Sequence, residues 1–143
     1  MLLFPKKPNY VKSFSNKKKN LNFLENKNVF RFSYLTLIAD DCGYIPNHQI
    51  EAIRLFLRRF LKKRAQLFFR IFPNQPITKK PNEVRLGRGK GNLKYWAFFA
   101  KKNKTILELS GSNNKILTSV LRAVKFKLSI KTYIYNKRFR WTL

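Results

Sequence analysis

A chain in which 32 lysines and arginines face only 6 aspartates and glutamates cannot close around a core without crowding like charges over its surface. The formal balance of +26 on 143 residues destabilises the compact state by self-repulsion, and a polyanion bound to the folded form relieves that repulsion by mass action. RNA or DNA is the partner this imbalance implies. An apolar share of 44%, with 14 phenylalanines, supplies one modest core and leaves basic extensions outside it.

The same inventory argues against most chemistry. Cys42 and His48 stand alone in their residue types, so neither a disulfide framework nor a Cys/His zinc site fits within the chain. The acids Glu25, Asp40, Asp41, Glu51, Glu83 and Glu108 are scattered apart from the Asp40–Asp41 pair, which leaves little for acid/base or metal work. His48 reads as an ordinary first-turn residue, with no serine or carboxylate set beside it by a recognisable motif. The expectation is a non-enzyme with no bound cofactor and no metal. No apolar run approaches the roughly 20 residues of a membrane span. The apolar start is broken at Pro5, and the Lys- and Asn-rich first thirty positions make a poor import helix, so no removable targeting segment is expected. The weight of Lys, Asn, Phe, Ile and Tyr against few Ala and Gly fits an A/T-rich coding sequence, and points to a protein made inside an organelle from that organelle's genome.

Along the chain, residues 1–28 read as a basic arm ordered mainly by its partner, with Lys6, Lys7, Lys12, Lys17, Lys18, Lys19 and Lys27 as its cations. Residues 29–136 read as an α+β domain, and residues 137–143 as a basic aromatic tail in which Arg138 and Arg140 flank aromatics suited to phosphate contact and stacking. Within the domain, a β-branched and aromatic run predicts a strand over 29–39, followed by a turn at 40–43. Helical spacing of Ile50, Ile53, Leu57, Phe60 and Leu61 predicts a helix over 47–64. Arg54, Arg58 and Lys62 recur every fourth residue on another of its faces, a basic ridge with no acid to offset it. Alternation predicts a strand over 66–72 that pairs with a strand over 93–100, across an excursion of about twenty residues with no secondary structure of its own. A short strand over 105–109, a second helix from 113 or 114 to 127 on a stripe of Ile116, Leu117, Val120, Leu121 and Val124, and a closing strand over 129–135 complete the expectation. The sum is a mixed, mainly antiparallel sheet with two amphipathic helices.

The excursion carries the functional signal. Gly87, Gly89 and Gly91 alternate with Arg88 and Lys90, so backbone can approach a nucleic-acid strand while cations reach its phosphates. Thr78, Lys79, Lys80, Arg85 and Asn92 extend the same polar, cationic segment. Nucleotide fingerprints fail here: Asn92 occupies the last glycine position of G-x-G-x-x-G, and Lys90 is followed by Gly91 where a P-loop requires Ser or Thr. Pro73, Pro76 and Pro81 fix local φ and keep the segment extended, which lowers the entropy lost on ordering it against a partner.

These residues carry a family likeness. Gln49, Ile50, Glu51, Ala52 and Arg54, then Arg70, Phe72, Pro73, Pro76, Ile77, Thr78, Lys80, Pro81, Val84, Arg85, Gly87, Gly89, Lys90, Gly91, Asn92, Tyr95 and Trp96, and finally Ile130, Lys131 and Thr132, resemble the universal large-subunit ribosomal protein sixteen in its bacterial and organellar form. The likeness covers nearly the whole chain, from the opening Met1 and Leu2 and the Pro5–Lys6 pair to about Tyr135. It implies a hammerhead-type α+β domain embedded in large-subunit ribosomal RNA near the peptidyl-transferase centre. By the same resemblance the segment 78–92 reaches the acceptor arms of aminoacyl and peptidyl tRNA, while the arm, Arg54, Arg58, Lys62, Arg70, Lys131, Arg138 and Arg140 grip ribosomal RNA. The implied partners are that RNA, tRNA and neighbouring large-subunit proteins, with no second copy of this chain. The run Asp40, Asp41, Cys42, Gly43, Tyr44, Ile45, Pro46 replaces the family's Gly- and Arg-rich turn, and the arm lacks its glycine and arginine cluster; these departures point to a divergent mitochondrial ribosome ahead of a relict plastid. The rival readings are a histone-like, non-specific DNA- or RNA-binding protein, which the same charge would serve, and a cationic protein of membrane surfaces.

Overall fold

The strands sort into two antiparallel sheets with no pairing between them (a computed structural model), described over residues 3–8, 10–14, 35–62, 64–85, 87, 89–111 and 114–136. The element order is β1 (Leu35–Ala39), β2 (Gly43–Pro46), α1 (Asn47–Leu61), β3 (Ala65–Phe69), β4 (Gln75–Lys79), β5 (Asn92–Ala100), β6 (Thr105–Gly111), α2 (Asn114–Lys125) and β7 (Thr132–Asn136). The larger sheet runs β3-β6-β1-β7 and the smaller β2-β5-β4. An α+β architecture with two helices is thus as expected, and the pairing differs in three ways.

β3 pairs with β6 and not with β5; the register sets Leu67 opposite Leu109 and Phe69 opposite Leu107. The excursion between β3 and β5 holds a strand of its own, β4, which takes β5 as its partner. Its sequence QPITK hid it, because proline removes a ladder donor; β4 lies at the edge of its sheet, where a missing N–H is tolerated. β2 begins at Gly43, the last residue of the turn expected over 40–43, and leads directly into α1. Of the strand expected over 29–39, Leu35–Ala39 is observed and residues 29–34 lie outside the described residues.

Every residue of β1 is buried, which fits its unbroken LTLIA pattern: β1 lies between β6 and β7 in the sheet, and its Leu35, Leu37 and Ala39 join the core cluster that also holds the apolar stripe of α2. The core gathers Leu35 and Leu37 of β1, Leu107 and Leu109 of β6, Ile50, Ile53, Leu57 and Leu61 of α1, and Leu117, Val120, Leu121 and Val124 of α2. Two expected core residues lie outside it. Phe60 is 57% exposed and packs its ring 4.6 Å from that of Phe56, while Ile116, in the first turn of α2, is 44% exposed. Both sat at the margin of an apolar stripe, where one helical step decides between core and flank.

α1 stops at Leu61, three residues before its expected end. Lys62 adopts φ 47° and donates its N–H to the Arg58 carbonyl at 3.0 Å, a turn that the continuing run of basic residues concealed. α2 ends at Lys125, and the backbone tightens beyond it through bonds from Lys127 N–H to the Val124 carbonyl (2.9 Å) and from Leu128 N–H to the Lys125 carbonyl (3.3 Å).

Candidate nucleic-acid interface

β4 and β5 form a hairpin whose register runs from Gln75 opposite Ala97 to Lys79 opposite Asn92, with a bulge between Ile77 and Thr78. Residues 80–91 form its tip. The three glycines there have different physical reasons. A Cβ on Gly91 would sit 2.6 Å from the Lys79 carbonyl and 2.7 Å from the Lys80 nitrogen, so glycine is required by close approach of the protein's own backbone. Gly87 and Gly89 have open space around them and instead adopt φ of +109° and +76°, conformations that L side chains rarely take.

Cations hold the tip from within. Lys80 Nζ donates to the Gly87 carbonyl at 2.5 Å and closes the loop on itself. Lys90 Nζ donates to the Ser13 carbonyl and stands 4.2 Å from the centre of the Phe14 ring, while Lys12 Nζ reaches the Lys90 carbonyl at 3.4 Å. The described part of the arm is therefore laid along the hairpin: Leu3 packs on the core, and Pro5, Lys7, Pro8, Tyr10 and Ser13 share a groove of about 350 Å³ with Asn74, Gln75, Pro76 and Trp96. No local sequence signal announces these contacts, which join residues more than sixty positions apart. Arg85, Lys79 and Asn92 remain exposed at the tip, Thr78 is half-buried, and Arg88 lies outside the described residues.

The other predicted RNA contacts divide. Lys6, Lys7, Lys12, Arg58, Lys62 and Lys131 are exposed, whereas Lys17, Lys18, Lys19, Arg138 and Arg140 lie outside the described residues. The ridge on α1 is not without an acid, as the sequence reading had it: Glu51 meets Arg54 three residues on, with Arg54 Nε donating to Glu51 Oε2 at 2.8 Å. That hydrogen bond holds the Glu51 carboxyl below its ordinary range and pushes the Arg54 guanidinium up. Its contribution to stability is present above the unfolded carboxylate pKa and is lost as pH falls through the folded one. Because the pair is half-buried at the surface, with solvent still reaching both side chains, Glu51→Gln is expected to leave the urea midpoint at pH 7 almost unmoved, and to remove only a small loss of stability on acidification.

Arg70 is half-buried and also turned to an acid. Its Nε donates to Oε1 of Glu108 at 2.6 Å, and Glu108, in β6, is 0% exposed. Lys131 has a backbone duty beside its exposed side chain: its carbonyl accepts the Asp40 amide at 2.9 Å and the Asp41 amide at 3.5 Å, which ties the acidic turn to the start of β7. Cys42 Sγ accepts the Lys102 amide at 3.3 Å. No cluster of three potential metal ligands occurs among the described residues, and no helix there is long and apolar enough to cross a membrane.

An α+β body that displays a cationic, glycine-jointed hairpin tip, braced by a basic arm, defines a scaffold protein that binds a polyanion. Residues 5–135 match the family of ribosomal protein L16p/L10e, and the chain belongs to that family. It is similar to the large ribosomal subunit protein uL16c of Euglena longa, with 40% identity over 136 residues that cover 95% of this chain and 99% of the relative. The family and this relative make the chain a structural protein of the large ribosomal subunit.

Proposed function

We propose that this protein binds large-subunit ribosomal RNA in an organelle's ribosome, and that its hairpin tip, residues 80–91, helps to seat tRNA acceptor arms near the peptidyl-transferase centre. The observation that carries this reading is the tip itself: a loop fixed by Gly91 packing, the Lys80–Gly87 bond and the Lys90–Ser13 clasp, with Arg85 turned outward to solvent. A loop already held in one conformation loses little entropy when a phosphate backbone is set against it, and its lysines and arginines release counterions on contact. Exposed cations on the arm and on α1 serve ribosomal RNA in the same way.

Replacing Arg85 and Arg88 together by alanine is expected to weaken aminoacyl-site tRNA binding by roughly tenfold or more per lost phosphate contact. Incorporation into subunits should remain near normal in sucrose gradients. If the variant is missing from mature subunits, those arginines act in assembly and the proposed tRNA role is wrong.

For the compartment, the departures at 40–46 and in the arm favour a mitochondrial ribosome. A second reading, a plastid-derived organelle, is favoured by the similarity to the Euglena longa uL16c along nearly its full length. Immunodetection in ribosomes from separately purified mitochondria and plastids decides between them.

A further inference from the structure

Phe126 is 92% exposed, more than any other large apolar side chain among the described residues. It follows α2 directly, and Arg122 and Lys125, in the last turn of that helix, line the same groove as Phe126. Beneath it opens a groove of about 830 Å³ lined by Asp40, Arg122, Lys125, Leu128, Ile130 and Lys131, among others. The lining offers three cations against one carboxylate.

The scaffold under the ring is held on both sides. The 124–128 turn closes through the Lys127–Val124 and Leu128–Lys125 backbone bonds. Lys127 Nζ is drawn away from the groove to stand 4.9 Å over the Phe56 ring. Ser129 then ties the segment to the smaller sheet and α1: its hydroxyl donates to the Tyr44 carbonyl at 3.0 Å, and its amide donates to Gln49 Oε1 at 3.2 Å. Leu128 and Ile130 pack against the core and anchor the groove floor. An aromatic ring left in water on a hydrogen-bonded turn, ringed by cations, is a preorganised platform.

We infer that Phe126 is a stacking platform for one unpaired base of large-subunit ribosomal RNA, with Arg122, Lys125 and Lys131 receiving the adjoining phosphates. The inference rests on the ribosomal-RNA reading and adds a site to it, lined by none of the residues of the hairpin tip. The charge of the rim selects RNA over a protein neighbour: an apolar protein surface would have to desolvate the cations, whereas a nucleotide offers a π-face and a phosphate together. Stacking uses ring area and not hydrophobicity alone, which makes the choice testable.

The test is equilibrium binding of the full chain to large-subunit ribosomal RNA across a salt series, with Phe126→Ala, Phe126→Leu, Phe126→Trp and Arg122→Ala/Lys125→Ala. Phe126→Ala and Phe126→Leu are expected to weaken binding about 5- to 150-fold with the salt slope unchanged, and Phe126→Trp to bind as tightly as the native chain. The double cation variant should flatten the salt slope by nearly two phosphates' worth. Circular dichroism should show all four folded, since the altered side chains are exposed. Native-like binding by Phe126→Ala overturns the inference, and if that variant is also lost from assembled subunits the platform meets a protein. Wild-type binding to ribosomal RNA no tighter than to duplex DNA would instead sink the ribosomal-RNA reading on which the inference rests.

Discussion

Arg70→Ala is expected to lower the free energy of unfolding by about 3–5 kcal/mol, read as a large fall in the urea midpoint at fixed salt. Glu108 is the reason. It lies at 0% exposure in β6, opposite Thr36 of β1 and Phe68 of β3, and is flanked in sequence by the buried Leu107 and Leu109. The Arg70 guanidinium at 2.6 Å supplies a counter-charge in that setting, and Arg70 is itself fixed by its N–H bond to the Ile106 carbonyl at 2.9 Å. Removing the arginine leaves a buried carboxylate without this partner. Removing both charges with apolar replacements of similar shape, Arg70→Met with Glu108→Leu, should recover most of the loss, because the attraction within such a pair is largely offset by the cost of desolvating it. Equal destabilisation by the single and the double variant would contradict this account. A domain of this size has a total stability of about 5–15 kcal/mol, so the single variant should also be depleted from ribosomes through unfolding.

Gly91→Val is the second large effect. The added Cβ would meet the Lys79 carbonyl carbon and oxygen at 2.6 Å, and these are backbone atoms that cannot rotate aside. To admit it, β4 and β5 must part at their last pair, Lys79 opposite Asn92, with a cost of about 1–3 kcal/mol. The strain falls at the hinge of the tip, so the functional loss should exceed the loss of stability: tRNA binding falls while the variant still enters subunits. Gly87→Ala, where a Cβ meets nothing and only φ is unfavourable, should cost about 1 kcal/mol. Side-by-side thermal melts and tRNA binding check the order, and a Gly87 variant more damaged than the Gly91 variant would reverse the explanation.

Much of this was legible because strong periodicity survives without context. The stripes Ile50, Ile53, Leu57, Leu61 and Leu117, Val120, Leu121, Val124 each lie on one helical face, and the helices form where those stripes predict. β4 was not legible, since Pro76 and the polar flanks of QPITK look like a loop until β5 supplies a partner. Which strand pairs with which is a property of the whole chain: β3 and β5 are both good strands, and only the closing of β6 beside β1 separates them into different sheets. The tip's composition raised the expectation of a phosphate-reading segment, and the division of labour inside it came from geometry. Lys80 and Lys90 serve as braces, and Gly91 answers to the protein's own backbone. The Arg70–Glu108 pair, 38 residues apart, left no trace in either local pattern.

The central claim, that the hairpin tip touches tRNA acceptor ends, is tested most directly by crosslinking through a photoreactive group at position 85 in ribosomes of the purified organelle, followed by sequencing of the attached RNA. The account predicts large-subunit ribosomal RNA together with the acceptor ends of tRNA. DNA, or RNA with no site preference, would contradict it.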